Sequence, residues 1–148
     1  MRFYSGFALS DDQHFFDPYL KHSDYTVAGF SYGAIKAAQY ACDAHERIDT
    51  LQLFSPAFFQ TKKESFRRLQ MGGYFKDSER YLDNFLTSCF APLPKSLIRL
   101  GDNDADGLEE LLYFEWTREL MEAIRAKGTR IEVYLGVEDH VIDVEGAR

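Results

Sequence analysis

Residues 25–41 read "YTVAGFSYGAIKAAQYA" and carry the pattern that decides the fold. The first six letters are mostly β-branched or apolar, which predicts a strand that ends near Gly29. From Tyr32 onward the letters are rich in alanine, and the apolar residues repeat at helical spacing. Between the two elements, residues 29–33 read "GFSYG", a G-x-S-x-G pattern. In this context the pattern predicts a nucleophile elbow, a sharp strand-to-helix turn that exposes a serine.

Ser31 is either a catalytic serine or an ordinary serine in a glycine-flanked turn. The pattern alone has many false matches, but the elbow requires a strand before the serine and a helix after it. Gly29 and Gly33 also have a steric explanation, because side chains two residues from the serine would clash in so sharp a turn. These observations favour Ser31 as a nucleophile.

Three other segments are predicted as strands: the short apolar run that ends at Gly6, residues 48–54 and residues 131–135. Helical patterns separate them. A short or broken helix is expected in residues 11–22, with Ser10 or Asp11 as its N-cap and Pro18 limiting its length. Two helical pieces are expected on either side of Gly72-Gly73, and the clearest helix covers residues 107–128. Strands that alternate with helices predict a parallel sheet and an α/β fold.

Length, charge and composition exclude several classes of protein. A chain of 148 residues is one domain by size. Its net charge of −7, from 17 basic and 24 acidic residues, argues against nucleic-acid binding. Neither a signal peptide nor a membrane span is visible, so the cytoplasm is the expected location. The two cysteines have no metal-binding spacing, and no metal or organic cofactor is implied.

A catalytic serine needs two N–H donors for the oxyanion of its tetrahedral intermediate. The first donor is expected from Tyr32, the residue after the serine, at the positive end of the following helix. The second is expected from Phe7, because "FYSGF" follows an earlier strand and Gly6 allows a tight turn. Ser5-Gly6-Phe7 is otherwise a plain strand-to-helix turn. The elbow downstream favours the oxyanion hole.

The acid and the base are expected after the last strand, in the order serine, acid, histidine. Asp139 in the "GVED" loop is the predicted acid, and Asp143 is the reserve candidate. His140 is adjacent to Asp139, and neighbouring side chains on extended backbone point to opposite sides. The remaining histidines precede the acid and are interpreted as surface residues: His14, His22 and His45. We therefore expect that a further strand, a helix and the catalytic histidine lie beyond Arg148, although a rearranged triad is the alternative.

At this point the sequence resembles a known family. The segments "MRFYSGF", "GFSYGAIKAAQYA", "RIDTLQLFSPAFF" and "IEVYLGVEDHVID", in that order, are similar to the BioV-type pimeloyl-[acyl-carrier protein] methyl ester esterases of biotin synthesis. The resemblance extends over essentially the whole chain. It implies a compact α/β-hydrolase that removes the methyl ester from a carrier-bound pimeloyl chain, with Ser31 as nucleophile and Asp139 as acid. The absent C-terminal histidine segment is a departure from the family pattern.

The predicted topology agrees with that resemblance. A full hydrolase sheet has the order 1-2-4-3-5-6-7-8, and this chain begins at the strand equivalent to strand 3. Its strands should therefore form a contiguous 3-5-6-7 sheet with helices on both faces. Residues 1–148 form one domain, with residues 57–107 inserted as a helical cap. The first strand is left at an edge that needs covering.

An acyl carrier protein is the expected partner. Carrier proteins are acidic, so an acidic enzyme needs a local basic patch to bind one. The best candidate, called the basic patch below, consists of Lys62, Lys63, Arg67 and Arg68. The alternative is that Glu64 and Arg68 form an ordinary i,i+4 surface pair. Nearby aromatics either wall an acyl channel or pack the cap on the body: Phe58, Phe59, Phe66, Tyr74 and Phe75.

Two other functions remain open at the level of sequence. A serine thioesterase or acyltransferase that acts on acyl-carrier substrates would use the same machinery, with a different acyl carbon at Ser31. A hydrolase-like binding module or fragment would keep the fold without catalysis.

Overall fold

Four parallel strands form the central sheet of the computed structural model, which describes residues 1–90, 99–101 and 103–135. Their order across the sheet confirms the predicted contiguous 3-5-6-7 arrangement. In that order they are β1 (Arg2–Tyr4), β3 (Thr26–Phe30), β4 (Thr50–Phe54) and β6 (Arg130–Tyr134). Phe30 lies opposite Phe54, and Phe54 lies opposite Tyr134. We call the side of the sheet where these strands end the carboxyl edge.

A second, two-stranded sheet was not predicted. β2 (Leu9–Ser10) pairs antiparallel with β5 (Arg99–Leu100). The pairing continues through the Gly101 N–H, which donates to the carbonyl of Ala8 at 2.9 Å. A two-residue strand has no periodicity to detect, so the sequence pattern carries no signal for it.

The described helices alternate with the strands as expected. They are α1 (Tyr32–Asp43), α2 (Glu64–Lys76), α3 (Ser78–Phe90), α4 (Ala105–Tyr113) and α5 (Arg118–Ala126), preceded by a 3₁₀ helix at Asp12–Phe16. None of the helices within the described ranges has the length and apolar character needed to cross a membrane.

The two faces of the sheet are covered differently. On one face, α1 lies against the sheet and α5 lies beside it, with four alanines of α1 fully buried. Such small side chains allow the helix to approach the strands closely. On the other face, the 3₁₀ helix places the ring of Phe16 4.7 Å from that of Phe54. Gln52 of β4, fully buried, accepts from Lys21 N–H and donates to the Tyr19 carbonyl, which ties the following segment to the sheet.

A third hydrophobic cluster joins the cap helices to the loops of the carboxyl edge. Its buried members come from the loop after β1, from α1, from the segment after β4 and from α4, and include Phe7, Ile35, Phe59, Leu108, Leu111 and Leu112. Partly buried side chains of α2 and α3 pack against them. The cap therefore packs on the side of the molecule that carries Ser31.

The single helix predicted for residues 107–128 is wrong. The structure has two helices there, interrupted between Tyr113 and Arg118. The backbone N–H of Trp116 donates to Gln60 Oε1 at 2.6 Å, and the Trp116 carbonyl accepts from Gln60 Nε2 at 3.1 Å. These bonds replace those of a continuous helix. Thr117 then caps α5 by accepting from the Leu120 N–H.

Two smaller corrections concern helix ends. Helix α2 continues through Gly72-Gly73 to Lys76, and the break comes at Asp77, whose carboxylate accepts from the Arg80 N–H at 3.1 Å. The first predicted helix is a 3₁₀ helix that ends before Pro18, as expected. Asp11 stands at its N-cap position, but its side chain makes no capping bond.

Candidate active site

Ser31 occupies a strained position between β3 and α1. Its φ is 56° and its ψ is −113°, a backbone conformation that serine rarely adopts. Such residues typically cost about 1–3 kcal/mol and persist only where their surroundings enforce them. The Ser31 N–H donates to Phe54 at 2.9 Å, and the Ser31 carbonyl accepts from Ala34 and Ala57 at 3.1 Å each. Helix α1 and the end of β4 therefore hold the turn from two sides.

The two glycines of the pattern are required by close backbone contacts. A Cβ on Gly29 would lie 2.2 Å from the carbonyl oxygen of Gly33. A Cβ on Gly33 would lie 2.0 Å from the carbonyl oxygen of Tyr4 at the end of β1. Real Cβ atoms do not approach backbone this closely, so the structure agrees with the steric explanation for both positions. The G-x-S-x-G segment is an elbow by geometry as well as by spacing.

The residues predicted to form the oxyanion hole lie side by side. Phe7 is buried, and its ring meets that of Tyr32 edge-on with 6.1 Å between centroids. Tyr32 is the first residue of α1, so its N–H has no partner within the helix. Phe7 lies in a turn closed by the Leu9 N–H on the Gly6 carbonyl at 3.0 Å. We call residues 6–9 the oxyanion turn.

A cavity opens beside these two residues. Its volume is about 330 Å³, and it is lined by the oxyanion turn, by Ser5 and Tyr32, and by the start of α4 at Asn103, Asp104 and Gly107. Phe7 and Tyr32 thus face an open space that reaches the cap. The arrangement could admit part of a substrate next to the elbow.

A polar network connects the elbow helix to α4. The Tyr32 hydroxyl donates to Glu110 at 2.7 Å, and Lys36 forms an ion pair with the same carboxylate at 2.5 Å. Burial raises the pKa of Glu110, but hydrogen bonds from Lys36, Tyr32 and Gln39 outweigh it and leave that pKa below its ordinary value. Burial and the bond to Glu110 raise the pKa of the Tyr32 hydroxyl. The network keeps Tyr32 neutral and Glu110 charged.

The described histidines are all exposed, as predicted. His14 bonds through Nδ1 to the carbonyl of Asp11, within its own turn. His45 lines a depression with Lys127 and Thr129. That depression lies where β6 begins, at the opposite end of the sheet from Ser31. Across the described ranges, no three His, Cys, Asp or Glu side chains are arranged to hold a metal ion.

The predicted acid lies outside the described residues. This applies to Asp139, to the reserve Asp143 and to His140. The strand that leads to them is described, and its last residue, Tyr134, lies opposite Phe54. Two backbone hydrogen bonds connect β6 to the elbow by way of β4. The Ser55 N–H donates to the Tyr134 carbonyl at 2.7 Å, and the Ser31 N–H donates to the Phe54 carbonyl. Because β6 lies two strands away from β3, the strand that leads to Ser31, the end of β6 is about 10 Å from Ser31 by strand spacing.

The basic patch divides into exposed and packed residues. Lys62, Lys63 and Arg68 are exposed, and Arg68 lies 3.5 Å from Glu64, the i,i+4 pair weighed as the alternative. Arg67 is only 16% exposed in its side chain. Its guanidinium donates to the Phe59 carbonyl at 2.9 Å and lies over the ring of Tyr113. Arg67 is thus engaged in attaching α2 to the body.

The candidate channel aromatics mostly pack the cap on the body. Phe59 is buried and stacks with Phe66 at 6.0 Å, and Phe66 and Tyr74 contact the cluster that contains Phe7. Phe75 is 70% exposed and lines no core. Phe58 lines a separate groove of about 220 Å³ between the end of β4 and α5. The packing interpretation holds for Phe59, Phe66 and Tyr74.

Sequence reasoning missed one polar residue beside the site. Asp12 is 2% exposed and its carboxylate accepts from the Gly6 N–H at 2.9 Å. The sequence did contain a signal for this residue. Asp11 and Asp12 are adjacent and only one of them can cap a helix, so the other carboxylate is left for a different contact. The spacing alone could not show which carboxylate turns inward.

The strand order and the elbow are those of a minimal α/β-hydrolase fold. No protein-family model matches the chain, and no curated protein matches it. Among solved structures, MenH from S. aureus is similar, with 13% identity, coverage of 98% of this chain and 88% of that chain, and a TM-score of 0.48. This likeness is too distant to assign a family or a substrate to the chain, since one fold supports many functions.

Proposed function

We propose that this protein is a serine carboxylesterase and that Ser31 is its nucleophile. The observation that carries the proposal is the backbone conformation of Ser31, which has a φ of 56° at the junction of a strand and a helix. The two glycines that flank Ser31 approach other backbone atoms too closely to carry a side chain. Backbone strain that the surroundings enforce is concentrated at functional sites. A turn that served only to connect β3 and α1 would not need it.

The chemistry follows from the elbow. Ser31 Oγ attacks the ester carbonyl carbon while a histidine takes its proton, and Asp139 orients that histidine. The N–H groups of Phe7 and Tyr32 stabilise the negative oxygen of the tetrahedral intermediate. Collapse of the intermediate breaks the bond to the methoxy oxygen, which takes the proton from the histidine and leaves as methanol. Water then attacks the acyl-serine, releases the carboxylic acid and restores Ser31.

The proposed substrate is the methyl ester of pimeloyl-[acyl-carrier protein]. Its support is the resemblance of the elbow, the "LFSPAFF" run and the "GVED" loop to the BioV-type esterases. The cavity beside Phe7 and Tyr32 is compatible with an extended acyl chain that enters from the cap side. The product, pimeloyl-[acyl-carrier protein], would serve biotin synthesis.

Carrier docking is proposed for the exposed part of the basic patch. Lys62, Lys63 and Arg68 are available at the surface, on and just before α2. Arg67 contributes charge to the same surface, but most of its side chain is buried in the contact with Phe59 and Tyr113. The net charge of −7 makes this local concentration of positive charge necessary for an acidic partner.

The experiment compares the two bonds that a carrier-bound substrate offers. Purified full-length protein, including the histidine that the sequence predicts after the acid, is incubated with the methyl ester of pimeloyl-[acyl-carrier protein], and methanol and free thiol are measured separately. We expect methanol first, and none from Ser31→Ala. Thiol that appears before methanol would replace the esterase by a thioesterase. Methanol release at the wild-type rate from Ser31→Ala would remove Ser31 from the mechanism.

A further inference from the structure

Asp12 is a buried carboxylate with one oxygen engaged and one oxygen free. Its side chain is 2% exposed. Oδ2 accepts from the Gly6 N–H at 2.9 Å, and this hydrogen bond is itself buried. Oδ1 is fully buried and has no hydrogen-bond partner among the described residues. Buried polar atoms without partners are uncommon, and each one calls for a physical explanation.

The hydrogen bond from the Gly6 N–H to Asp12 holds the peptide group that directly precedes the one containing the predicted oxyanion donor, the Phe7 N–H. Peptide groups are planar and trans, so the Phe7 N–H points away from the Gly6 carbonyl. That carbonyl accepts from the Leu9 N–H at 3.0 Å, and the N–H of Gly6 itself is held by Asp12. Both peptide groups of Gly6 are therefore anchored. Together, the two bonds determine the direction in which the Phe7 N–H points.

Gly6 itself contributes little rigidity to the turn, and a larger residue there would require the Leu9 and Phe30 side chains to shift. A Cβ at this position would lie 2.9 Å from Leu9 Cδ1 and 3.0 Å from Phe30 Cδ1. Glycine has the widest range of backbone conformations, so the turn gains little rigidity from the residue itself. Ala8, two residues later, has a φ of 60°, which strains the same turn further. An external acceptor at Gly6 compensates for both features.

We propose that Asp12 is a positioning residue that fixes the oxyanion turn, and this proposal rests on the proposed function of Ser31. Asp12 does not touch the substrate. It acts through Gly6, whose anchored peptide group directs the Phe7 N–H towards the developing oxyanion. A buried carboxylate with one unpartnered oxygen destabilises a protein and is not needed to form a simple turn. Natural proteins retain such destabilising features mainly at functional sites.

The test uses two variants of Asp12 in the full chain and a small activated ester, p-nitrophenyl butyrate. Asp12→Ala removes the acceptor, whereas Asp12→Asn keeps a side-chain oxygen of the same reach. We expect Asp12→Ala to lower kcat by about 10- to 100-fold, up to the loss typical of one oxyanion donor, with KM within about twofold. We expect Asp12→Asn to recover most of the wild-type kcat. Urea denaturation establishes the folded fraction of each variant.

A purely structural role predicts a different result. The folded fraction would then account for any lost activity, and kcat per folded molecule would stay at the wild-type value in Asp12→Ala. That result overturns the proposal. If Asp12→Ala does not fold, Asp12→Asn decides alone, because a loss of kcat of about tenfold or more in a folded protein that retains the acceptor also overturns it.

Ser31→Ala separates this inference from the proposed function. Esterase activity that is absent in the wild type, or that persists in Ser31→Ala, refutes the catalytic serine and the Asp12 proposal with it. Activity that depends on Ser31 but is unchanged in Asp12→Ala refutes the Asp12 proposal alone.

Discussion

The elbow and helix α2 of the cap tolerate side chains very differently. At Gly33 of the elbow, a Cβ would lie 2.0 Å from the Tyr4 carbonyl oxygen. At Gly72 of α2, a Cβ would meet no atom within 4 Å. Six residues of α1 are buried, whereas none of α2 is, and Leu69 of α2 is 72% exposed. The backbone geometry of the elbow therefore restricts its sequence, whereas much of α2 is open to substitution.

Because of this difference, the elbow and the region of α2 are suited to different functions. The elbow and the strand ends are connected by backbone hydrogen bonds between neighbouring elements, such as that from the Ser31 N–H to the Phe54 carbonyl. Helix α2 is attached to α4 through side chains, such as the Arg67 guanidinium over the Tyr113 ring. Chemistry that requires fixed geometry belongs to the first region. Recognition of a particular substrate can vary in the second without disturbing the first.

The largest expected effect is that of Gly33→Ala. Its Cβ would collide with the backbone of β1, so either α1 or β1 must shift. We expect a loss of about 4 kcal/mol or more in the free energy of unfolding, the range of severe core disruption. Urea denaturation followed by far-UV circular dichroism measures it. A loss within the error of the wild-type value would mean that the elbow is less rigid than its glycine contacts indicate.

The second effect separates Arg67 from Arg68 on the same helix. Arg67→Ala removes a charged donor from the Phe59 carbonyl and a contact with the Tyr113 ring, and should cost about 2 kcal/mol in unfolding free energy. Arg68→Ala, at an exposed residue whose ion pair within the described part of the chain is with Glu64 at 3.5 Å, should change stability by less than about 0.5 kcal/mol.

The same pair of variants tests the role of the basic patch in docking. If the patch binds the carrier, Arg68→Ala should raise the KM for a carrier-bound ester and leave that for a small ester unchanged. Equal stability losses in Arg67→Ala and Arg68→Ala would contradict the division of the patch into packed and exposed residues.

The third effect concerns the network between the two regions. Glu110→Gln removes the charge that Lys36 pairs with and weakens the bond from the Tyr32 hydroxyl. We expect a loss of about 1 kcal/mol at neutral pH. Because the pKa of Glu110 lies below its ordinary value of 4.5, its stabilisation is present above that value and is lost as the pH falls through the folded-state pKa.

The pH dependence supplies the control for that variant. Wild type and Glu110→Gln should differ most near neutral pH and converge in acid, below pH 4.5. Unfolding free energies measured by urea at several pH values test this convergence. A difference that grows as the pH falls would have the wrong sign for a carboxylate with a lowered pKa.

The smallest expected effect is that of Gly72→Ala, the counterpart of Gly33→Ala. The position lies in the interior of α2, is exposed, and has space for the methyl group. Alanine is the better helix former, so we expect the free energy of unfolding to rise by about 0.5–1 kcal/mol. Destabilisation by Gly72→Ala would show that the cap is more tightly constrained than its open surface indicates.

The parts of the fold that could be predicted are those where local sequence and tertiary structure agree. β3, the elbow and α1 show strand, turn and helix patterns in immediate succession, and the glycine contacts explain why the turn has that sequence. The parallel sheet followed from the alternation of strands and helices, and the order of its strands followed from the sheet order of the α/β-hydrolases that the sequence resembles.

The parts that could not be predicted depend on features that the local sequence pattern does not show. The break between α4 and α5 comes from the Gln60 side chain, which is 56 positions away from Trp116 and takes both of its backbone bonds. The inward orientation of Asp12 depends on a bond to Gly6. Gly72-Gly73 predicted a break that α2 does not have, because glycine weakens a helix without requiring it to end. The place of Asp139 relative to Ser31 stays a prediction.

The central claim is that the strained Ser31 is a reactive nucleophile. A fluorophosphonate probe that reacts with activated serines tests it directly, with the modified peptide identified by mass spectrometry. We predict a single adduct, on the peptide that contains Ser31, and none in a folded Ser31→Ala variant. A folded full-length protein, with the histidine predicted after the acid, that forms no adduct, or an adduct that survives Ser31→Ala, would contradict the claim.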